Sequence, residues 1–363
     1  MNAAARLHEA GQSLWLDNIT RNLLTSGQLA RYITEDAVTG LTSNPSIFDK
    51  AITGSDAYDE QTRELAATGL AIEDLFFELA LDDLTRAAAL FKPVWDSTRG
   101  ADGWVSLEVS PRLAHDTKRT VAEAEALHQK AGTPNLFIKV PGNREGLPAI
   151  EELTFQGVPV NVTLLFSNEQ YLAAAAAYQR GLERREGAGL DLNVPSVASL
   201  FVSRWDRATL DKLPDNLKDE LGIAVAKQTY RGYREVLASA QWKALEARGA
   251  HSQRLLFAST GTKDPAKPDT YYIQALAAPD TINTIPPATL EAFADHGEFG
   301  EFLPADGGDA DEVIAKVEAD GINVPELAAS LQSDGAASFV SAWEDLLRSI
   351  ESKAASVTAK ALR

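Results

Sequence analysis

Short apolar runs alternate with longer stretches of helical period along this chain. Eight runs read as strands, at 14–17, 40–44, 104–110, 136–140, 158–165, 194–201, 254–259 and 281–285. They are short, apolar and bounded by Gly, Pro, Asn or Asp, the pattern of buried parallel strands. Helical patterns lie between them at 18–29, 60–91, 112–131, 146–155, 168–185, 221–247 and 265–277. Strand–helix alternation predicts right-handed parallel crossovers, and eight such units predict one closed (β/α)8 barrel. A doubly wound open sheet is the alternative, but no GxGxxG follows the first strand. With no Pro/Ser-rich linker, residues 1–363 read as a single barrel domain with additional helices. An Asp-, Glu- and Gly-rich stretch at 302–321 is expected to form a surface excursion. A long C-terminal helix near 336–360 follows it and is expected to cover the strand ends.

Side chains alternate faces along a strand, so parity separates two sets of residues. Leu136, Ile138 and Val140 share one face, and Lys139 points to the other. Glu108 lies with Ser106 and Ser110, opposite Val105, Leu107 and Val109. Asn161 and Thr163 oppose Val160, Val162 and Leu164; Asp17 opposes Leu14 and Leu16. Thr42 and Asn44 share a face, and Ser199 stands against Ala198 and Leu200. The helix layer outside a barrel takes bulky apolar side chains, while active sites are built at the C-terminal strand ends. Buried polar groups normally need partners, and Asp17, Asn44, Glu108, Lys139, Asn161 and Thr163 all facing one way are hard to explain as packing alone.

Composition narrows the chemistry. The chain has 363 residues, 45% of them hydrophobic, enough for a large core. It has no cysteine, which removes disulfides, thiol nucleophiles and cysteine-bound metals. His8, His115, His128, His251 and His296 are scattered, so neither a His-based triad nor a metal site is expected. The formal charge of −18 argues against nucleic acid as a partner, which needs a basic footprint. An anionic substrate would need a local basic pocket. No apolar leader core or membrane-length run is seen, so a cytoplasmic protein without a membrane partner is expected.

Lys139 is the one basic group among the polar residues that parity sets on this face. Desolvation favours the neutral form of a buried amine, and a neutral amine attacks carbonyl carbon to form a Schiff base. The plain alternative is a strand-end lysine with a buried stem and a head in water. If Lys139 is the nucleophile, Glu108 is placed to shuttle protons, through a water held by Thr163. Asp17 would take a proton from a substrate hydroxyl and drive C–C cleavage. Asn44 and Asn161 would hold substrate hydroxyls. Arg204 follows the sixth strand, and Ser259 to Lys263 follow the seventh, where barrel phosphate sites occur. A surface ion pair for Arg204 and an ordinary turn for 259–263 are the alternatives.

At these residues the chain resembles the transaldolase family, and within it the longer bacterial branch. The matching motifs are LTSNPSIF at 41–48, VSLEVSPRLA at 105–114, FIKVP at 137–141, VNVTLLFS at 160–167, VASLFVSRWD at 197–206 and LLFASTGTKDP at 255–265. A lysine on strand four, where many other class I aldolases use strand six, is itself a trait of this family. The resemblance implies Lys139 as Schiff-base lysine, Glu108 as acid/base and Asp17 as the aspartate acting on the C4 hydroxyl. Asn44, Asn161, Thr163 and Ser199 fall on its active-site polar positions, Phe201 on an aromatic one and Arg204 on the phosphate arginine. Many members carry Ser-Phe-Arg after strand seven; here Ser259-Thr260-Gly261 stands there, with Lys263 as the substitute charge. The implied reaction moves a dihydroxyacetone unit between sugar phosphates of the pentose phosphate pathway, without metal or organic cofactor, in a monomer or homodimer. The alternatives are a fructose 6-phosphate aldolase of the same superfamily, whose members carry tyrosine where Phe201 stands, and an inactive sugar-phosphate binding protein.

Overall fold

The computed structural model describes residues 1–262, 264 and 266–361. Among these the apolar runs form eight parallel strands: β1 (Ser13–Asp17), β2 (Val38–Thr42), β3 (Val105–Glu108), β4 (Leu136–Pro141), β5 (Val160–Leu165), β6 (Ser196–Phe201), β7 (Gln253–Ala258) and β8 (Ile282–Ile285). They pair in the order β2-β1-β8-β7-β6-β5-β4-β3. A parallel bridge between Gly40 and Trp104 closes the ring. There the Leu41 N–H donates to the Trp104 carbonyl at 2.9 Å, and the Gly103 N–H to that of Thr39 at 2.8 Å. A Cβ at Gly40 would stand 2.7 Å from the Trp104 carbonyl oxygen and 2.7 Å from the Trp15 indole. The seam of the barrel therefore depends on a glycine. The (β/α)8 expectation holds.

Where element bounds shift from those expected, prolines, glycines and caps explain them. β5 and β6 start after Pro159 and Pro195, which lack the N–H that a ladder needs. The second strand ends early because Asn44 leaves it to cap the helix Pro45–Thr53, its side chain accepting from the Ile47 N–H. The helical run at 18–29 becomes Arg21–Thr25 and Gln28–Glu35, split at Gly27 with φ 78°. The run at 60–91 becomes Asp59–Ala67 and Ile72–Ser97, and that at 221–247 becomes Leu221–Ala238 and Ala240–Glu246. Ser239 makes the second break, extended and capping Trp242 N–H. Of 265–277, only Tyr271–Ala275 is helical, and Pro265 lies outside the described residues.

The N-terminal end of the barrel is plugged. Trp104 stacks on Phe137 at 4.1 Å between centroids, and Trp15 lies 6.1 Å from Phe137. Buried Asp102 accepts from Ser13 Oγ, from Trp15 Nε1 at 2.8 Å and from Thr39 Oγ1 at 2.9 Å, with Arg254 at 3.5 Å. The strand residues that parity singled out open at the other, C-terminal end. Over that end lies the C-terminal helix, Val324–Ala361, which begins twelve residues before its expected start. Its buried positions, including Ala328, Leu331, Phe339, Trp343, Leu346 and Ile350, recur at three- and four-residue intervals, the period of one helix face. The 302–321 stretch is a largely exposed excursion that holds a helix, Ala310–Ala319. Ion pairs Lys227–Asp309 at 2.6 Å and Arg231–Asp311 at 2.8 Å tie it to the barrel. Among the described residues no helix is long and apolar enough to cross a membrane.

Candidate active site

Lys139 sits one residue past the middle of β4, in register with Glu108 on β3 and Asn161 on β5. Its side chain is 7% exposed and that of Glu108 5%. Nζ donates to the Ser43 carbonyl at 3.0 Å and stands 3.5 Å from Glu108 Oε2. That spacing is an ion pair without hydrogen-bond geometry, and Glu108 Oε2 has no hydrogen-bond partner. Burial pushes the Glu108 carboxyl above the usual glutamate range; Lys139 pulls it back and Asp17 adds to the rise.

Lys139 opens on a cavity of about 140 Å³. Asp17, Asn44, Thr163, Ser199, Phe201 and Arg204 line it, together with Thr42, Thr284, Ser259 and, from the C-terminal helix, Phe339. Thr42 Oγ1 donates to Asp17 Oδ1 at 2.8 Å, which holds that carboxylate on the wall. The Thr163 hydroxyl is buried with no hydrogen-bond partner among the described residues. Asn44 spends its side-chain oxygen on the helix cap and keeps its amide N–H groups to donate. Arg204, in the helix Ser203–Thr209, is half-buried and forms no ion pair among the described residues. Its guanidinium lies 5.5 Å from the Phe201 ring centroid. Burial, and then Arg207, disfavour its charge, so an anion there would be welcome. Ser259, at φ 56°, turns its hydroxyl to that of Ser203 at 2.9 Å.

The profile of the Transaldolase/Fructose-6-phosphate aldolase family matches residues 14–350. The Transaldolase of Thermobifida fusca is 45% identical over 362 residues, covering 97% of this chain and 98% of that protein. The Transaldolase of Frankia alni is 44% identical over 358 residues, 96% of each chain. That of Saccharopolyspora erythraea is 45% identical over 352 residues, 95% of each. The chain belongs to the transaldolase/fructose-6-phosphate aldolase family.

In this transaldolase-family site the structure gathers most of the residues that strand parity singled out. Asn161 is placed differently from the cavity residues. It lies fully buried, accepting from Ser199 Oγ at 2.7 Å and donating to Ser106 Oγ at 3.1 Å. Lys263 lies outside the described residues. Two contributors escaped the sequence reading. The Ser43 carbonyl is backbone and carries no residue signature. Ser106 was read on the face of Glu108, without a role. Phe339 comes from a helix remote in sequence, and only the expected covering of the strand ends pointed toward it.

Proposed function

We propose that this site performs the transaldolase reaction: reversible transfer of a dihydroxyacetone unit from sedoheptulose 7-phosphate to glyceraldehyde 3-phosphate, giving erythrose 4-phosphate and fructose 6-phosphate. The observation that carries the reading is the buried Lys139 amine, 3.5 Å from the buried Glu108 carboxyl and opening on a small polar cavity. The Lys139 amine attacks the ketose C2 carbonyl. Glu108 returns a proton to the departing hydroxyl through a water on Thr163, and the imine forms. Asp17 takes the proton of the C4 hydroxyl. The C3–C4 bond breaks, its electron pair moving toward the iminium, and the aldehyde leaves. The enamine stays on Lys139 until an acceptor aldehyde reverses these steps. Asn44 and Ser199 hold hydroxyls, and Asn161 holds Ser199 in place. Arg204 and Ser259 take the phosphate, with Lys263 as a further charge.

The enclosed volume fits this division of labour. About 140 Å³ is small beside the ~300–1,000 Å³ of most ligand pockets, room for the three-carbon unit with the rest of the sugar reaching out toward Arg204. In our reading the chain acts as one barrel domain in the cytoplasm, as a monomer or homodimer, on sugar phosphates. The test is reduction with borohydride in the presence of fructose 6-phosphate. A reduced dihydroxyacetone adduct is expected on the peptide that contains Lys139, and none in Lys139→Ala. Label on another lysine, or no label, would overturn the assignment. Free dihydroxyacetone released as fast as it is transferred would favour the aldolase reading.

A further inference from the structure

The C-terminal helix does more than pack on the outside of the barrel. Gly335 lets it come close: a Cβ there would stand 3.1 Å from Leu164 Cδ2 and 3.6 Å from Phe166. Gln332, one turn earlier, donates from its side-chain amide to the carbonyls of Leu164 at 2.9 Å and Gly142 at 3.3 Å. Leu164 follows Thr163 directly and holds φ 60°, a left-handed conformation costly for a branched side chain. Gly142 follows β4, and its N–H binds the Thr163 carbonyl at 2.8 Å. The helix is thus pinned to the ends of the two strands that carry Lys139 and Thr163. One turn after Gly335, Phe339 enters the cavity. It is 8% exposed, its ring centroid 6.0 Å from Lys139 Nζ and 6.5 Å from the Phe201 ring in an edge-on arrangement.

We propose that Phe339 is a specificity-determining residue, whose ring closes the site over the Lys139 adduct and holds the reaction to transfer rather than release. The proposal rests on the Schiff-base reading above. Release of the bound unit needs two steps. The enamine carbon takes a proton to regenerate the iminium, and water then adds at C2, so that the C–N bond breaks and free dihydroxyacetone and the lysine amine leave. Transfer skips the first: the enamine electron pair goes to the aldehyde carbon, and water adds at C2 only afterwards, to free the new ketose phosphate from the lysine. A ring that donates and accepts no hydrogen bond brings no water or other proton donor to the enamine carbon, where release and transfer part. Together, Phe201 from β6 and Phe339 from the far end of the chain place adjoining apolar rings in the cavity onto which the lysine opens. Exclusion of water is an established way to suppress such side reactions.

The experiment measures two rates in the full chain. One is dihydroxyacetone release from fructose 6-phosphate alone; the other is product formation after erythrose 4-phosphate is added. Phe339→Ala is expected to raise the ratio of release to transfer by about tenfold or more, a relative barrier change of roughly 1.4 kcal/mol. Phe339→Val should raise it less, and Phe339→Leu, which restores apolar volume, should bring it back toward that of the native protein. Borohydride labelling of Lys139 should persist in all three. A native ratio in Phe339→Ala overturns the proposal; if that variant is insoluble, a native ratio in Phe339→Val does so. Absence of label in the native protein overturns the Schiff-base reading beneath it, whereas label with an unmoved ratio removes Phe339 alone.

Discussion

An ion pair at about 4 Å in a medium of effective dielectric 20 returns roughly 4 kcal/mol, while removing each ion from water costs several. For Glu108 the second effect wins, and its carboxyl keeps its proton to higher pH than an ordinary glutamate. A group that both gives and takes protons is most useful when its affinity lies near the working pH. Glu108→Gln keeps the shape and removes the titration, so kcat should fall by about 10²–10⁴. The acidic limb of the native pH profile should lie above the ordinary glutamate range, because activity is lost when the shuttling carboxylate is protonated. That limb should vanish in the glutamine variant. A loss of activity below about threefold would assign the shuttle to another group. At the mouth, Arg204→Ala should raise KM for fructose 6-phosphate, with roughly 1.5–3 kcal/mol lost per charged hydrogen bond. An unchanged KM would move the phosphate elsewhere.

At the scale of elements, the C-terminal helix is held by Trp343. That side chain is buried, 4.9 Å from Phe76 and 5.6 Å from Phe77 between ring centroids. Trp343→Ala should cost about 3–5 kcal/mol, read from denaturant unfolding, and should expose the helix to protease. A loss under about 1 kcal/mol would mean that the anchor lies elsewhere along the helix. Strands and helices differ in how well the sequence shows what they place in the site. Lys139, Thr163 and Ser199 could be aimed from sequence because a strand has only two faces and the barrel assigns them. The parity also survived the irregularity between Val162 and Leu165, because the shift falls after Thr163. Phe339 could not be aimed in that way. A helix face says only that something is covered, and what it covers is set by long-range contacts such as Gln332 with Leu164. Asn161 shows the limit of parity itself. The face was read, but its depth depends on strand stagger, and it settled below the cavity against Ser106 and Ser199.

At the scale of the whole molecule, the chain buries acids while carrying a formal charge of −18. Burial raises the Glu123 carboxyl to about 7, against the pull of a Ser110 N–H hydrogen bond. Burial raises Asp206 to about 6, although it accepts from the Gly222 N–H and the Tyr272 hydroxyl. Glu108 and Asp83 are raised by burial as well. Between pH about 4 and 7 the folded chain therefore binds more protons than the unfolded one, and linkage makes stability fall as pH rises. The contribution is fully present below the ordinary carboxylate range and is lost as pH passes the raised values. His128 and His251, lowered by burial, work the other way, but they are two groups against four raised acids. Asp309 and Asp311, lowered by Lys227 and Arg231, also oppose, in pairs that are exposed and screened by solvent. Self-repulsion of the ionised acids acts in the same direction as the buried groups. Calorimetry should therefore find Tm higher near pH 5 than near pH 8, with added salt raising Tm more at the higher pH. Glu123→Gln, which cannot titrate, should flatten the slope between pH 5 and about 7. A Tm that rises from pH 5 to 8 would mean that these acids find compensation in the folded chain, and a slope unchanged by Glu123→Gln would take that residue out of the account.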